Sequence, residues 1–106
     1  MSHFADTLAA AQFAADKMKK NNLFTTERLF CDVYCFEPGQ EQAPHAHAGS
    51  DKVYFVIEGS ARIRVGEDER ETPAGSAALA PAGLDHGIRN PGPGRLRVLV
   101  FMAPKP

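Results

Sequence analysis

Two histidines at alternate positions, His45 and His47, are the residues whose type and spacing point most directly to chemistry. They occur in Pro-His-Ala-His-Ala-Gly, a segment that reads as extended chain running into a turn. Because side chains alternate between the two faces of a strand, both imidazoles point the same way, about 7 Å apart along the backbone. Two such rings can converge on one ion, and neutral imidazole suits zinc, copper, iron and nickel. The pair therefore indicates a candidate site for a first-row transition ion.

A third histidine, His86, lies in a second segment that is built like the first. One segment runs from Gly39 to Gly59 and the other from Gly75 to Asn90. Each reads as strand, turn and strand, with histidines where a strand meets a turn. Pro81 and Gly83 predict the tight turn that precedes His86, since proline fixes φ and glycine admits positive φ.

The elements that must position these histidines are short strands. The 106 residues make one small domain, and 8 prolines and 9 glycines fall between short apolar runs. This spacing favours an all-β sandwich or closed barrel. The predicted strands cover residues 29–36, 53–58, 61–65, 70–72, 76–79, 87–89 and 96–101.

The N-terminal residues predict a different element. Apolar side chains recur at helical spacing from residue 2 to about residue 20, with lysines near the end of the segment, where they suit the helix dipole. The sequence therefore predicts an N-terminal helix within residues 1–22, packed on a domain that spans residues 23–106. The predicted stripe comprises Phe4, Leu8, Ala11, Ala15 and Met18.

The two histidine segments together resemble the cupin superfamily. Residues 39–59 fit its motif G-x5-H-x-H-x3,4-E-x6-G at all positions but one, and residues 75–90 fit G-x5-P-x-G-x2-H-x3-N throughout. The resemblance implies a small single-domain cupin, a jelly-roll β-barrel with its ligand site inside the mouth. It also implies that His45, His47 and His86 hold a divalent transition metal, namely Fe, Mn, Ni, Cu or Zn.

The one departure is at the carboxylate of the first motif, where Lys52 stands in place of glutamate. An ammonium group beside a divalent ion is repulsive. Three interpretations follow. The histidines hold the metal while Lys52 contacts an anionic substrate, or metal binding is weak and the pocket takes a small ligand alone. In the third, Lys52 extends out of the barrel and the adjacent Asp51 replaces the glutamate.

The resemblance allows two classes of function. The leading hypothesis is a metal-binding cupin that binds, and as an enzyme transforms, a small organic molecule, with Lys52 and Tyr54 as candidate catalytic residues. The enzyme classes that the family suggests are metal-dependent dioxygenases, isomerases and decarboxylases. The alternative is a non-catalytic binding or sensor barrel with little or no metal, because Lys52 has replaced the glutamate.

Charge and hydropathy restrict the partners. A formal net charge of −1 leaves no basic surface typical of nucleic-acid binding. No apolar run approaches the roughly 20 residues that span a bilayer, and no signal peptide is recognised, so we expect a cytoplasmic protein without a membrane partner. By analogy with the family we expect a homodimer. Val53, Phe55 and Ile57 are candidates for its interface, unless they pack beneath another layer of the same subunit.

Overall fold

The computed structural model describes residues 2–106, and these residues form nine β-strands. Their bounds are β1 Lys19–Thr25, β2 Phe30–Phe36, β3 Glu41–His45, β4 Asp51–Glu58, β5 Ser60–Val65, β6 Asp68–Pro73, β7 Ala77–Ala80, β8 His86–Arg89 and β9 Leu96–Ala103. The predicted strands are confirmed, most of them one or two residues longer than expected.

The strands form two antiparallel sheets that pack as a jelly roll. The order is β1-β2-β9-β4-β7 in the five-stranded sheet and β3-β8-β5-β6 in the four-stranded sheet. The predicted all-β class and jelly-roll architecture are therefore confirmed. Within residues 2–106 there is no helix of the length and hydropathy that a membrane span requires.

The core lies between the sheets and follows strand alternation. In β9, every second residue from Leu96 to Met102 is buried, because these side chains face the other sheet. Of these, Leu96, Val98 and Val100 pack in one core cluster with Tyr34 and Phe36 of β2 and with apolar side chains from the four-stranded sheet such as Ile63. This packing determines which face of β2 and which face of β4 point into the barrel.

The predicted N-terminal helix is wrong. The described residues before Lys19 form turns and irregular chain, and Lys19–Thr25 pair with β2 as the edge strand β1. The predicted boundary between residues 22 and 23 falls inside β1, and Met1 lies outside the described residues. The side chains of Phe4 and Leu8, expected on the packed stripe, are 87% and 52% exposed.

Tertiary contacts explain why this segment is not helical. Two carbonyls in its second half accept hydrogen bonds from side chains of the barrel: Asn21 Nδ2 donates to Gln12 O and Gln40 Nε2 donates to Ala14 O. Phe13 lies beneath Arg95, whose guanidinium is 4.3 Å from the ring centroid. These contacts override the helical propensity of the alanines.

Asn90, the last residue of the second motif, holds the loop that follows β8. Its buried amide donates to Phe36 O at 3.0 Å and to Gly94 O at 2.8 Å, and its Oδ1 accepts from the Gly92 N–H at 2.9 Å. The loop is thus tied to the end of β2.

Gly59, between β4 and β5, has no room for a side chain. Its φ is +87°, and an added Cβ would collide with the carbonyl oxygen of Arg95 and lie 3.2 Å from Leu96 Cα. Gly75 has nearly the same φ, +90°, but a Cβ there would meet nothing within 4 Å. Comparing the two glycines therefore separates the energetic cost of a strained backbone from the cost of a steric collision.

Gly75→Ala should cost about 1–2 kcal/mol of unfolding free energy, from the left-handed backbone alone. Gly59→Ala should cost a further amount of about 1–3 kcal/mol, because β9 must move away from the turn. Urea unfolding of both variants under one condition measures the difference. Equal losses would show that the contact with Arg95 relaxes without cost.

Candidate metal centre

His45 and His86 face each other across the pairing of β3 with β8. They are opposite residues in that register, and their ring centroids are 4.5 Å apart. His47, two residues beyond His45, places its ring 4.9 Å from His45 and 5.4 Å from His86. One potential ligand atom from each ring lies within 4.8 Å of the others, so the predicted convergence of three histidines is confirmed and the group can hold a metal ion.

Backbone carbonyls orient two of the rings. His45 Nδ1 is 2.9 Å from Ala43 O, and His86 Nδ1 is 3.0 Å from Leu84 O. Each Nδ1 therefore carries the proton and donates it, which leaves Nε2 with a free lone pair for a metal. His86 Nε2 is buried and has no hydrogen-bond partner in the described structure. A buried, unpaired ring nitrogen beside two further imidazoles fits a divalent transition ion.

Electrostatics favour the neutral imidazole that a metal requires. Burial lowers the pKa of His86, and the Lys52 ammonium lowers it further, although the hydrogen bond to Leu84 O acts in the opposite direction. Burial also lowers the pKa of His47, together with the neighbouring His45 and Lys52. At neutral pH both rings are thus ready to coordinate without first losing a proton.

The turn before His86 is tied to the segment that carries His47. The Gly83 N–H donates to His47 O at 2.7 Å, and the Leu84 N–H closes the turn onto Pro81 O at 3.2 Å. Asp51 accepts the Ala82 N–H through Oδ1 at 2.9 Å. Asp51 therefore braces this turn, and the group of potential metal ligands contains no carboxylate.

Lys52 points into the barrel. Its side chain is 1% exposed, its Nζ donates to Gln42 Oε1 at 3.1 Å, and the same Nζ lies 5.1 Å from the ring centroids of both Tyr34 and Tyr54. The interpretation in which Lys52 extends into solvent is therefore wrong. Among the hydrogen bonds of residues 2–106, Lys52 Nζ has one acceptor, which leaves N–H groups for a ligand.

Tyr54, the second candidate catalytic residue, shares the inner face of β4 with Lys52. Its ring centroid is 6.3 Å from that of His86, and its hydroxyl is buried without a partner in residues 2–106. Burial raises the pKa of Tyr54, so the hydroxyl keeps its proton. Lys52 and Tyr54 thus provide two hydrogen-bond donors beside the histidines.

Strands β1 and β2, which lie outside both histidine motifs, also contribute to this region. Lys20 of β1 places its Nζ 5.4 Å from the Tyr34 ring centroid. Asp32 of β2 is 7% exposed and accepts from Asn22 Nδ2 at 2.8 Å. A strand assignment for residues 19–25 would have placed Lys20 on the same face as Asn22, the residue that donates to Asp32, because side chains alternate along a strand.

Two antiparallel sheets and a ligand group of three histidines without a carboxylate define a small jelly-roll barrel with a candidate metal centre. The chain belongs to the cupin family, because residues 32–102 match the Cupin domain family model. A protein of Streptomyces coelicolor is 38% identical over an 84-residue alignment that covers 76% of each chain.

Two solved structures share the whole architecture. The protein TT1209 from Thermus thermophilus has a TM-score of 0.96 and 43% identity, over 99% of this chain and 100% of its own. A Klebsiella pneumoniae protein with a double-stranded β-helix domain has a TM-score of 0.91 and 26% identity, over 97% of this chain and 85% of its own.

The charge of Lys52 should be visible in the pH dependence of stability. Burial, aided by the charge of Lys20, lowers the pKa of Lys52 to about 8 from its ordinary value of 10.5, while Asp32 acts in the opposite direction. Between these pH values the unfolded chain binds the proton and the folded protein does not, so stability rises with pH. Lys52→Met removes this rise.

As the pH rises from about 7.5 to about 9.5, we expect the unfolding free energy of wild type to increase by about 1–2 kcal/mol more than that of Lys52→Met. The cysteines and tyrosines titrate in both proteins and cancel in the difference. Urea unfolding at each pH makes the measurement, with Lys19→Met, an exposed lysine, as the control that should follow wild type. Parallel pH profiles for Lys52→Met and wild type would contradict the buried charge.

Proposed function

We propose that this protein is a metal-binding cupin that uses His45, His47 and His86 to hold a divalent transition ion, Fe, Mn, Ni, Cu or Zn. The observation that carries the proposal is the convergence of three imidazoles, two of which have their Nε2 atoms left free by Nδ1 contacts to backbone carbonyls. The ligand is a small organic molecule with an acidic oxygen. Its recognition by Lys52 is supported by a buried ammonium group in the place of the family's carboxylate.

The residues around the histidines bind and orient such a molecule. When bound, the ion supplies a positive charge that polarises a ligand oxygen. The Lys52 ammonium donates to the acidic oxygen, and Gln42 Oε1 holds that ammonium in place at 3.1 Å. The Tyr54 hydroxyl donates a second hydrogen bond, and the barrel walls keep bulk water from this polar group, which strengthens both contacts.

Metal content tests the first part of this proposal. The untagged protein should carry about one equivalent of a transition metal by plasma mass spectrometry, and His45→Ala/His47→Ala should lose it because a single imidazole holds such ions poorly. His3→Ala is the matched control, since His3 is an exposed histidine far along the chain from the site. Little metal in wild type after incubation with Fe, Mn, Ni, Cu and Zn would reject the metal centre and favour a metal-free binding barrel.

Lys52→Glu tests the role of the substituted position. Restoring the family's carboxylate should tighten the binding of a metal ion and weaken the binding of an acidic ligand, because a negative charge replaces a positive one. Competition with a chromogenic chelator measures the first effect. Metal affinity and ligand binding that both match wild type would remove Lys52 from the site.

A turnover assay distinguishes an enzyme from a protein that only binds its ligand. Metal-loaded protein offered β-diketones, thiols and hydroxy acids forms product if it is a dioxygenase, isomerase or decarboxylase. Saturable binding without product makes it a binding or sensor module. The same buried donors, Lys52 and Tyr54, serve either function.

We also propose that a second copy of the chain covers the outer face of the five-stranded sheet. Phe55 and Phe101 are 37% and 38% exposed on this face, and Leu79 of β7 is 56% exposed. The register places Val53 beside both Phe101 and Leu79, so these side chains form one apolar surface. No layer of residues 2–106 covers Phe55 and Phe101, which supports association rather than internal packing.

Phe55→Glu/Phe101→Glu should convert a dimer into a monomer, because each copy would then bring two charges into the interface. Sedimentation equilibrium measures the mass, and Phe4→Glu, which alters an exposed phenylalanine outside this face, should remain dimeric. A monomeric mass for wild type would reject the dimer.

A further inference from the structure

Lys20 lies on the inner face of β1, next to the site. It is the register partner of Tyr34 in the pairing of β1 with β2, and paired residues of antiparallel strands project to the same face. Tyr34 is buried in the core, so Lys20 extends toward the barrel interior from the rim. The neighbouring Lys19 pairs with Cys35 and projects to the opposite face.

Lys20 and Lys52 approach one aromatic ring at two different depths. Their Nζ atoms lie 5.4 and 5.1 Å from the Tyr34 centroid, so the two ammonium groups are no farther apart than the sum of these distances. Lys52 is buried, whereas Lys20 is exposed. The two positive charges thus mark an inner and an outer position beside one ring.

Within residues 2–106 this pair of lysines has no direct carboxylate partner. Neither lysine belongs to an ion pair within 4.0 Å among residues 2–106. The buried carboxylate on the same wall, Asp32, accepts a hydrogen bond from Asn22 rather than from a lysine. Together with the unpaired Tyr54 hydroxyl, the region presents two ammonium groups that have no direct carboxylate partner. A ligand with negative charge supplies what is missing.

An open cleft lies at the outer position, beside Lys20. It has a volume of about 540 Å³ and is lined by Lys17, Met18, Lys20, Glu41 and Gln42. Gln42 is also the residue whose Oε1 accepts from Lys52 Nζ. A molecule in this cleft therefore lies against Lys20 and against Gln42, whose amide oxygen contacts the Lys52 ammonium.

We propose that Lys20 is a specificity-determining residue that makes the site select small linear diacids. One carboxylate binds the Lys52 ammonium and the Tyr54 hydroxyl at the inner end, and the second binds the Lys20 ammonium at the rim. The inference rests on the proposed function in that the diacid occupies the ligand site beside the three histidines. It adds the chemical class of the ligand and a residue that neither cupin motif contains.

Isothermal titration calorimetry with succinate and butyrate tests the proposal, because these probes have the same carbon number and differ by one carboxylate. It is run at fixed ionic strength on the protein as purified and again after dialysis against a chelator. Wild type should bind succinate about twofold to fivefold more tightly than butyrate, as expected for one exposed ion pair. Lys20→Met should abolish this preference and leave butyrate affinity unchanged. Lys19→Met is the matched control and should behave as wild type.

Equal affinities for the two acids in wild type, absent succinate binding, or an equal change in Lys19→Met would overturn the proposal. A loss of butyrate affinity in Lys20→Met as large as the loss of succinate affinity would overturn it as well. Metal content is measured on the same samples. A diacid preference that survives without any bound metal supports the role of Lys20 even if the metal centre is rejected, and bound metal without the preference rejects Lys20 alone.

Discussion

The site depends on how closely β3 approaches β8. Gly87 follows His86, and a Cβ at Gly87 would lie 3.0 Å from Pro44 N and 3.1 Å from Gln42 O. The absence of a side chain allows the two strands to meet, and the register shift between Gln42 and His45 then brings His45 opposite His86. Any residue larger than glycine would separate the strands and the two imidazoles with them. The chemistry of this end of the barrel therefore rests on a backbone contact.

Lys52 is the second constraint, because a charged group is kept inside an apolar barrel at a cost. The surrounding structure reduces that cost with one amide acceptor and two aromatic faces, and it provides no carboxylate partner within 4.0 Å among the described residues. A core selected for stability alone would place an apolar side chain here. The buried ammonium is thus easier to understand as part of a binding site than as part of the fold.

Much of the site was predictable because its signals are local. Glycine and proline mark turns through their own φ preferences, so the positions of His45, His47 and His86 relative to turns followed from the sequence. The inward direction of Lys52 followed from strand parity with the missing glutamate. The sequence could not show that Asp51 braces the turn at Ala82, because that hydrogen bond joins residues 31 positions apart.

The N-terminal segment was mispredicted for a physical reason. Alanines and a 3.6-residue stripe favour a helix in isolation, but the carbonyl of Ala14 is bound by Gln40, 26 positions away, and Lys19–Thr25 complete a sheet. Non-local contacts of this kind outweigh propensities of a few tenths of a kcal/mol per residue. The error also concealed Lys20, because a helical assignment puts no residue of that segment on the inner wall of the barrel.

His45 and His86 lie in segments that are far apart in the chain and adjacent only in the folded protein. An ion shared by them would bind the native state and have little affinity for the unfolded chain, so it would stabilise the fold by mass action. At a free concentration one hundred times the dissociation constant, that linkage amounts to about 2.7 kcal/mol. The supply of metal in the cell would then affect how long the protein resists proteolysis, as well as whether its histidine site is occupied.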